Sequence, residues 1–141
     1  MPMKSRGPEE TDNRMVKNVL LVDDDQISNF INGKVLSRLG IVKELHTAMN
    51  GKDAIDQINK SDINWSPDVI FVDLNMPVMD GFQFIEAFSK LDHSKTDKVK
   101  IIIVTSSEDP EDMKRARSLG VKDYLVKPMK EADILRILNC N

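Results

Sequence analysis

The chain has 141 residues, of which 40% are hydrophobic, and its formal net charge is -3. This length allows one domain with a single core and leaves no room for a second folded module. The acidic balance argues against a nucleic-acid-binding face, and the apolar runs are shorter than the roughly 20 residues of a membrane-spanning helix, so neither nucleic acid nor a membrane is an expected partner.

The first residues differ in composition from the rest. Residues 1–14 hold two prolines, a glycine and mixed charges without apolar periodicity, which predicts disorder. We place the boundary after Lys17, giving a disordered tail of residues 1–17 and a domain of residues 18–141, with Met15 as an alternative start. The single cysteine, Cys140, cannot form an internal disulfide, and a secretory leader is absent from the start, so a cytoplasmic protein is expected.

Five segments then read as strands, because they are apolar or alternate and are bounded by turn residues. They are Val19–Val22, Glu44–Met49, Val69–Val72, Ile101–Val104 and Tyr124–Val126. Glu44–Met49 is the most polar of them, which suits a sheet edge.

A segment with helical periodicity follows each strand. The first helix ends at Gly40, the fourth begins at Asp109-Pro110 and ends before Gly120, and the fifth follows Pro128. The fourth helix is predicted from its N-cap Asp109, the first-turn proline Pro110 and the first-turn acids Glu111 and Asp112. The apolar positions that mark the other four helices are Ile27, Phe30, Ile31, Val35 and Leu39; Ala54, Ile55 and Ile58; Phe84, Ile85, Phe88 and Leu91; and Ile134, Leu135 and Leu138. The polar segment 92–98 is expected to be a surface loop.

Strands that alternate with helices predict a parallel sheet, because right-handed crossovers place helices on both of its faces. The expected fold class is therefore α/β: a doubly wound, five-stranded parallel sheet with five helices, arranged as a three-layer sandwich.

Chemically active side chains follow the predicted strands at the point where each strand ends. Asp23 and Asp24 follow the first strand, Asp73 the third, Thr105 the fourth and Lys127 the fifth. Ligand sites of open α/β sheets lie beyond the carboxyl ends of the strands. We therefore expect these groups to converge on one region.

Three carboxylates held close together repel each other by roughly 1 kcal/mol per pair at 4 Å in water, and by more when partly buried. A divalent cation such as Mg²⁺ would relieve this repulsion among Asp23, Asp24 and Asp73. The alternative is that the segment 23–25 is only a polar turn that caps the first helix.

Lys127 precedes a proline and is therefore held extended, so its ammonium can neutralise a carboxylate or bind a phosphoryl oxygen. Together with Asp73 as nucleophile, Mg²⁺ and the Thr105 hydroxyl, it forms a set suited to phosphoryl transfer. A solvated lysine and a strand-end hydroxyl without a role are the alternatives for Lys127 and Thr105.

From about Asn18 to Leu138 the chain closely resembles the receiver domain of bacterial two-component response regulators. The resemblance rests on four segments in order and at typical separations: 21–25 (LVDDD), 73–81 (DLNMPVMDG), 104–106 (VTS) and 124–128 (YLVKP). It implies a flavodoxin-like fold with strand order 2-1-3-4-5.

The resemblance also implies the metal site. Asp73 would be the phosphoacceptor, with Asp24 and Asp73 as direct Mg²⁺ ligands and Asp23 as a ligand through water. The backbone carbonyl of Asn75 would complete the protein's share of the coordination, and Mn²⁺ is expected to substitute for Mg²⁺.

Further roles concern signalling. Lys127 would bind the phosphoryl group, Thr105 would hydrogen-bond to it on activation, and Tyr124 would turn inward, changing the face made by helix four, strand five and helix five. Asn75 and Ser107 occupy positions that tune dephosphorylation in the family. The donor, a sensor histidine kinase or histidine phosphotransfer protein, is expected to dock on Gln26, Ile27, Phe30, Pro128 and Met129.

Because no output domain follows the fifth helix, the resemblance implies a stand-alone response regulator. It would be a monomer, with dimerisation on phosphorylation left open, and would act on a downstream protein. On this view the chain is a phosphoprotein of a phosphorelay and no enzyme beyond its own phosphorylation and dephosphorylation.

Two other functions stay open. One is an aspartyl-phosphate phosphatase of the haloacid dehalogenase type. Members of that family have an Asp-x-Asp motif after the first strand, whereas here the expected nucleophile follows the third strand, and the chain is too short to include a substrate cap. The other is a scaffold that binds its partner independently of phosphorylation.

Overall fold

The computed structural model describes residues 17–61 and 65–139. Its sheet has five parallel strands in the order β2-β1-β3-β4-β5, which confirms the predicted fold. The strands are β1 (Lys17–Val22), β2 (Val42–Ala48), β3 (Val69–Val72), β4 (Lys100–Thr105) and β5 (Asp123–Val126).

Helices cover both faces of this sheet. They are α1 (Gln26–Arg38), α2 (Gly51–Asn59), α3 (Gly81–Ser89), α4 (His93–Thr96), α5 (Pro110–Ser118) and α6 (Glu131–Asn139). Side chains of α2, α3 and α5 pack on one face, where Ile58 and Phe84 join Leu20 of β1 in a single cluster. Leu36 of α1 and Ile134 of α6 pack on the other face. The result is the expected three-layer sandwich.

The central strands end level with one another. Val22 of β1 lies beside Ala48 of β2 and Val72 of β3, so the residues that follow these strands emerge at one edge of the sheet. Two of the predicted helix stops are also confirmed, because Gly40 and Gly120 have φ of 68° and 92°. Glycine adopts this left-handed conformation without the steric cost of a Cβ.

The segment predicted as a loop at 92–98 contains the short helix α4, so that prediction is wrong. The Asp92 carboxylate caps this helix by accepting from the Ser94 N–H at 3.0 Å. Lys95 fixes it against α2, since its ammonium donates to the carbonyls of Asn59 and Ser61, both at 3.0 Å. The helices predicted as fourth and fifth are therefore α5 and α6.

Helix α1 was predicted from its apolar spacing, but in its first half the apolar side chains do not mark the buried side, whereas Val35 and Leu39 do pack against the core. Ile27, Phe30 and Ile31 are 69%, 66% and 52% exposed, whereas the buried residues include Asn29 and Gly33. The apolar residues at the start of α1 therefore remain available to a partner.

The domain begins slightly earlier than predicted, because Lys17 already belongs to β1. The rest of the predicted disordered tail, including Met15, lies outside the described residues, and so does Cys140. Among the described helices, none combines the length and the apolar character needed to cross a membrane.

Candidate functional site

The backbone of the site is an extension of the sheet. The N–H groups of Asp23, Asp73 and Lys127, each directly after its strand, donate to the last carbonyl of a neighbouring strand at 2.8 to 3.0 Å. One further backbone hydrogen bond thus joins each charged residue to the sheet, and this bond fixes the position of the Cα atom that carries its side chain.

Three carboxylates converge there as the sequence predicted. One oxygen from each of Asp23, Asp24 and Asp73 lies within 4.8 Å of the others. Asp23 and Asp73 are buried, at 4% and 8% exposure, while Asp24 is exposed. A set of only oxygen ligands, with one open to solvent, fits a hard divalent cation that keeps some of its waters, such as Mg²⁺.

Lys127 also reaches the cluster. Its Nζ lies 2.7 Å from Asp23 Oδ2 and 3.1 Å from Asp73 Oδ2. A solvated lysine is therefore the wrong interpretation, since the ammonium bridges two buried carboxylates. One ammonium leaves the three carboxylates with an excess of negative charge, and that excess is what a metal ion would neutralise.

Burial and pairing act in opposite directions on these groups. Burial raises the pKa of Asp23 above its usual value, although the Lys127 ammonium and the Asp25 N–H oppose the rise. Burial lowers the pKa of Lys127, but its hydrogen bond to Asp23 and the charge of Asp73 outweigh burial, so the pKa of Lys127 is raised. The contact between the two groups therefore acts on both pKa values, opposing the rise at Asp23 and producing the rise at Lys127.

The first helix is capped by the next residue of the same acidic run. Asp25 Oδ1 accepts from the Ile27 N–H at 2.9 Å and the Ser28 N–H at 3.4 Å. The segment 23–25 therefore does cap the first helix, through Asp25, but it is not only a cap, because Asp23 and Asp24 belong to the carboxylate cluster. Metal binding by this cluster stays a prediction.

Asn29 supports the site and was missed by the sequence analysis. It is 7% exposed, and its amide Nδ2 donates to the backbone carbonyl of Asp23 at 2.9 Å. A buried asparagine on a helix usually makes hydrogen bonds to nearby polar groups. The only feature of the sequence that could have indicated this role is the place of Asn29 in the first turn of α1, between the apolar residues Ile27 and Phe30.

Thr105 and Tyr124 lie on adjoining strands. Thr105 is fully buried, and its Oγ1 accepts from the Ser107 N–H at 3.4 Å. Tyr124 donates through its Oη to the Ser107 carbonyl at 3.1 Å. Burial raises the pKa of the Tyr124 phenol; its hydrogen bond to Ser107 opposes the rise, and the nearby charges of Asp112, Asp109 and Asp73 add to it.

Glycine at position 81 lets α3 begin directly against the main chain of Asp73 and Leu74. A Cβ at Gly81 would overlap the carbonyl oxygen of Asp73 and lie 2.8 Å from the Leu74 Cα. The Gly81 N–H donates to the Leu74 carbonyl at 2.9 Å. Only a residue without a side chain fits this approach.

Two predicted site residues, Met129 and Asn75, are not confirmed in the roles expected of them. Met129 was expected on the donor-docking surface, but it is 6% exposed and packs in the core with Ile134, so that prediction is wrong. The N–H of Asn75 donates to Asp73 Oδ1 at 3.4 Å, and the metal-binding role of the Asn75 carbonyl stays a prediction.

Comparison with protein families gives one match over most of the chain. The model of the response regulator receiver domain family matches residues 19–139. This range includes every strand end that forms the site.

Relatives of known function and solved structures agree with this match. The chain is 34% identical over 131 residues to the hybrid signal transduction histidine kinase L of Dictyostelium discoideum and 29% identical over 120 residues to the regulator of RpoS of Escherichia coli K12. These alignments cover 92% and 85% of the chain but only 8% and 33% of the relatives.

Among solved structures, the chemotaxis protein CheY4 of Vibrio cholerae is 30% identical with a TM-score of 0.74, covering 89% of this chain and 98% of the other. A two-component response regulator of Cytophaga hutchinsonii is 29% identical with a TM-score of 0.81, covering 89% and 96%.

Proposed function

Because this chain belongs to the response regulator receiver domain family of two-component signalling, we propose that it is a phosphorylation-dependent switch whose phosphoacceptor is Asp73. The observation that carries the proposal is the Lys127 ammonium placed 3.1 Å from an oxygen of a buried carboxylate at a strand end. A carboxylate nucleophile attacks without a general base to remove a proton from it.

The reaction is a phosphoryl transfer. An Asp73 oxygen attacks the phosphorus of a phosphohistidine, the P–N bond breaks, and the histidine leaves with the electron pair of that bond. Lys127 is placed to bind an oxygen of the transferred group, and the Thr105 hydroxyl can donate to another. Mg²⁺, held by Asp23, Asp24, Asp73 and the Asn75 carbonyl, with Mn²⁺ as a substitute, would neutralise charge on the phosphoryl oxygens.

Phosphorylation then acts as a switch. Recruitment of Thr105 to the phosphoryl group moves the loop after β4, and with it the face made by α5, β5 and α6. A few kcal/mol of differential contact is enough to shift an existing equilibrium between two conformations. A downstream protein would read this face, so the chain is a signalling protein and turns over no external substrate.

The donor is a sensor histidine kinase or a histidine phosphotransfer protein. It would dock on the start of α1, where Ile27 and Phe30 are exposed and Asp24 of the acidic cluster lies close by in sequence, with Gln26 and Pro128 also exposed. Large exposed apolar side chains are typical of the residues that carry binding energy in protein interfaces. The proposed location is the cytoplasm, and the proposed resting state is a monomer.

Mass spectrometry after incubation with acetyl phosphate and Mg²⁺ tests this proposal. One phosphoryl adduct should form on the protein, disappear when a chelator replaces Mg²⁺, and be missing in Asp73→Ala. An adduct that persists in Asp73→Ala would show that the acceptor is another residue.

The same preparation separates the alternatives. Turnover of p-nitrophenyl phosphate would favour the phosphatase. Partner binding and biological output that Asp73→Asn leaves unchanged would favour the scaffold.

A further inference from the structure

Ser107 lies in the loop between β4 and α5, and its hydroxyl makes two hydrogen bonds. The Ser107 Oγ donates to Asp112 Oδ2 at 2.6 Å and accepts from the Asp109 N–H at 3.2 Å. Asp112 lies in the first turn of α5. The hydroxyl thus ties the loop to the start of the helix and is not directed at the carboxylate cluster.

The backbone of the same residue joins the two residues predicted to form the switch. Its N–H donates to Thr105 Oγ1, and its carbonyl accepts from the Tyr124 Oη. The position of this carbonyl therefore decides whether the half-buried Tyr124 phenol has a hydrogen-bond partner. Loss of that partner would leave a desolvated hydroxyl unsatisfied, which favours rotation of the ring towards solvent.

We propose that Ser107 and Asp112 form a latch that holds the loop after β4 and thereby keeps the Tyr124 ring half-buried, with its hydroxyl bonded to the Ser107 carbonyl. Both are positioning residues, since the Ser107 hydroxyl acts on Tyr124 only through the loop. A hydrogen bond to a carboxylate of this length is stronger than one between neutral groups, so the pair is well suited to fix a short loop.

One consequence rests on the proposed function. If phosphorylation draws Thr105 towards Asp73, the latch makes α5 follow, because the loop and the first turn of α5 are joined through Asp112. The role in tuning dephosphorylation that the resemblance implies for Ser107 stays a prediction, and the latch would add transmission to it.

The chain contains one tyrosine, so labelling with 3-fluorotyrosine gives a single ¹⁹F resonance that reports on Tyr124 alone. In the unphosphorylated protein, Ser107→Ala and Asp112→Ala should each shift this resonance towards its position in the urea-unfolded chain. The double variant should shift it no further, because either change already breaks the same contact.

Two variants serve as controls. Glu111→Ala removes a charge one residue away in the same turn and should leave the resonance in place, and Ser107→Thr keeps the hydroxyl and should restore it. An unshifted resonance in Asp112→Ala, or shifts that add in the double variant, would overturn the latch.

Acetyl phosphate labelling of the wild type is measured separately. If the adduct fails to form, the proposed function fails while the ¹⁹F result still decides the latch.

Discussion

The two ends of the sheet carry the same kinds of side chain and use them differently. At the amino end, a cavity of about 600 Å³ is lined by four lysines and three aspartates: Lys17, Lys98, Lys100, Lys122, Asp68, Asp97 and Asp123. At the carboxyl end, three aspartates meet one lysine. The amino end is close to electrically balanced, and the carboxyl end has an excess of negative charge.

The charged side chains at the two ends of the sheet also differ in how deeply they are buried. Lys100 and Asp123 are 3.5 Å apart, with side chains 24% and 26% exposed, so water screens the pair and it adds little to stability. Asp23 and Asp73 have side chains only 6% and 10% exposed. Charged residues alone therefore do not mark a site in this fold; unbalanced and buried charge does.

The largest expected effect is a difference between Lys127 and Lys100 in the rate at which the protein is phosphorylated. Lys127→Gln should slow formation of the acetyl phosphate adduct about 100-fold, because removal of one preorganised donor to a reacting group typically costs that much. Lys100→Gln, the matched change at the amino end, should leave the rate unchanged. The rate is measured by stopped-time mass spectrometry, and equal rates in both variants would contradict a role for Lys127 in the transfer.

Metal affinity separates the aspartates. Asp24→Asn should weaken Mg²⁺ binding about 10- to 100-fold, since loss of an anionic ligand costs at least as much as loss of a supporting contact. Asp123→Asn provides the control at the other end. Isothermal titration of each variant with Mg²⁺ gives the affinities, and similar values would place the metal elsewhere.

Stability without metal gives a smaller difference. Lys127→Gln leaves Asp23 and Asp73 without their ammonium, so the free energy of unfolding in chelator should fall by about 1–3 kcal/mol. Added Mg²⁺ should restore more stability in this variant than in the wild type, because it replaces the lost positive charge. Urea denaturation with and without Mg²⁺ measures both effects. If Mg²⁺ stabilises the variant no more than it stabilises the wild type, Lys127 does not act as the counter-ion that Asp23 and Asp73 share.

The smallest expected effect is at alkaline pH. The pKa of Lys127 is raised above 10.5 in the folded protein, so its contribution to stability is complete below that pH and is lost as the pH rises through the folded-state pKa. The free energy of unfolding should therefore fall more steeply above about pH 10.5 in the wild type than in Lys127→Gln.

Lys100→Gln should keep the steep wild-type dependence. Tyr124 titrates in all three proteins and cancels in the comparison. Parallel curves for the wild type and Lys127→Gln would show that pairing does not raise the pKa of Lys127.

The sequence was sufficient for the fold and for the charged part of the site. Four apolar strands that end in Asp, Thr or Lys require a buried parallel sheet, and the edge geometry of such a sheet brings their ends together. The N-cap at Asp109 followed by Pro110 was equally readable, because it depends on neighbouring residues only.

Contacts between segments far apart in the sequence could not be predicted in the same way. Helix α4 depends on Lys95 meeting the end of α2, which local sequence does not show. The buried side of α1 was also hidden, because Ile27 and Phe30 follow helical spacing as well as any core residue does. The bond from Ser107 to Asp112 joins a loop to a helix start, and either residue alone is typical of a solvated surface.

Gly81 gives Asp73 a neighbour that carries no functional group at all. The start of α3 is pressed so closely against the main chain of Asp73 and Leu74 that even a methyl group there would displace them. Alanine at this position would thus displace the main chain that carries the Asp73 carboxylate, although it adds no charge to the cluster. The geometry of the cluster therefore depends on the missing side chain at position 81 as well as on the charges that meet there.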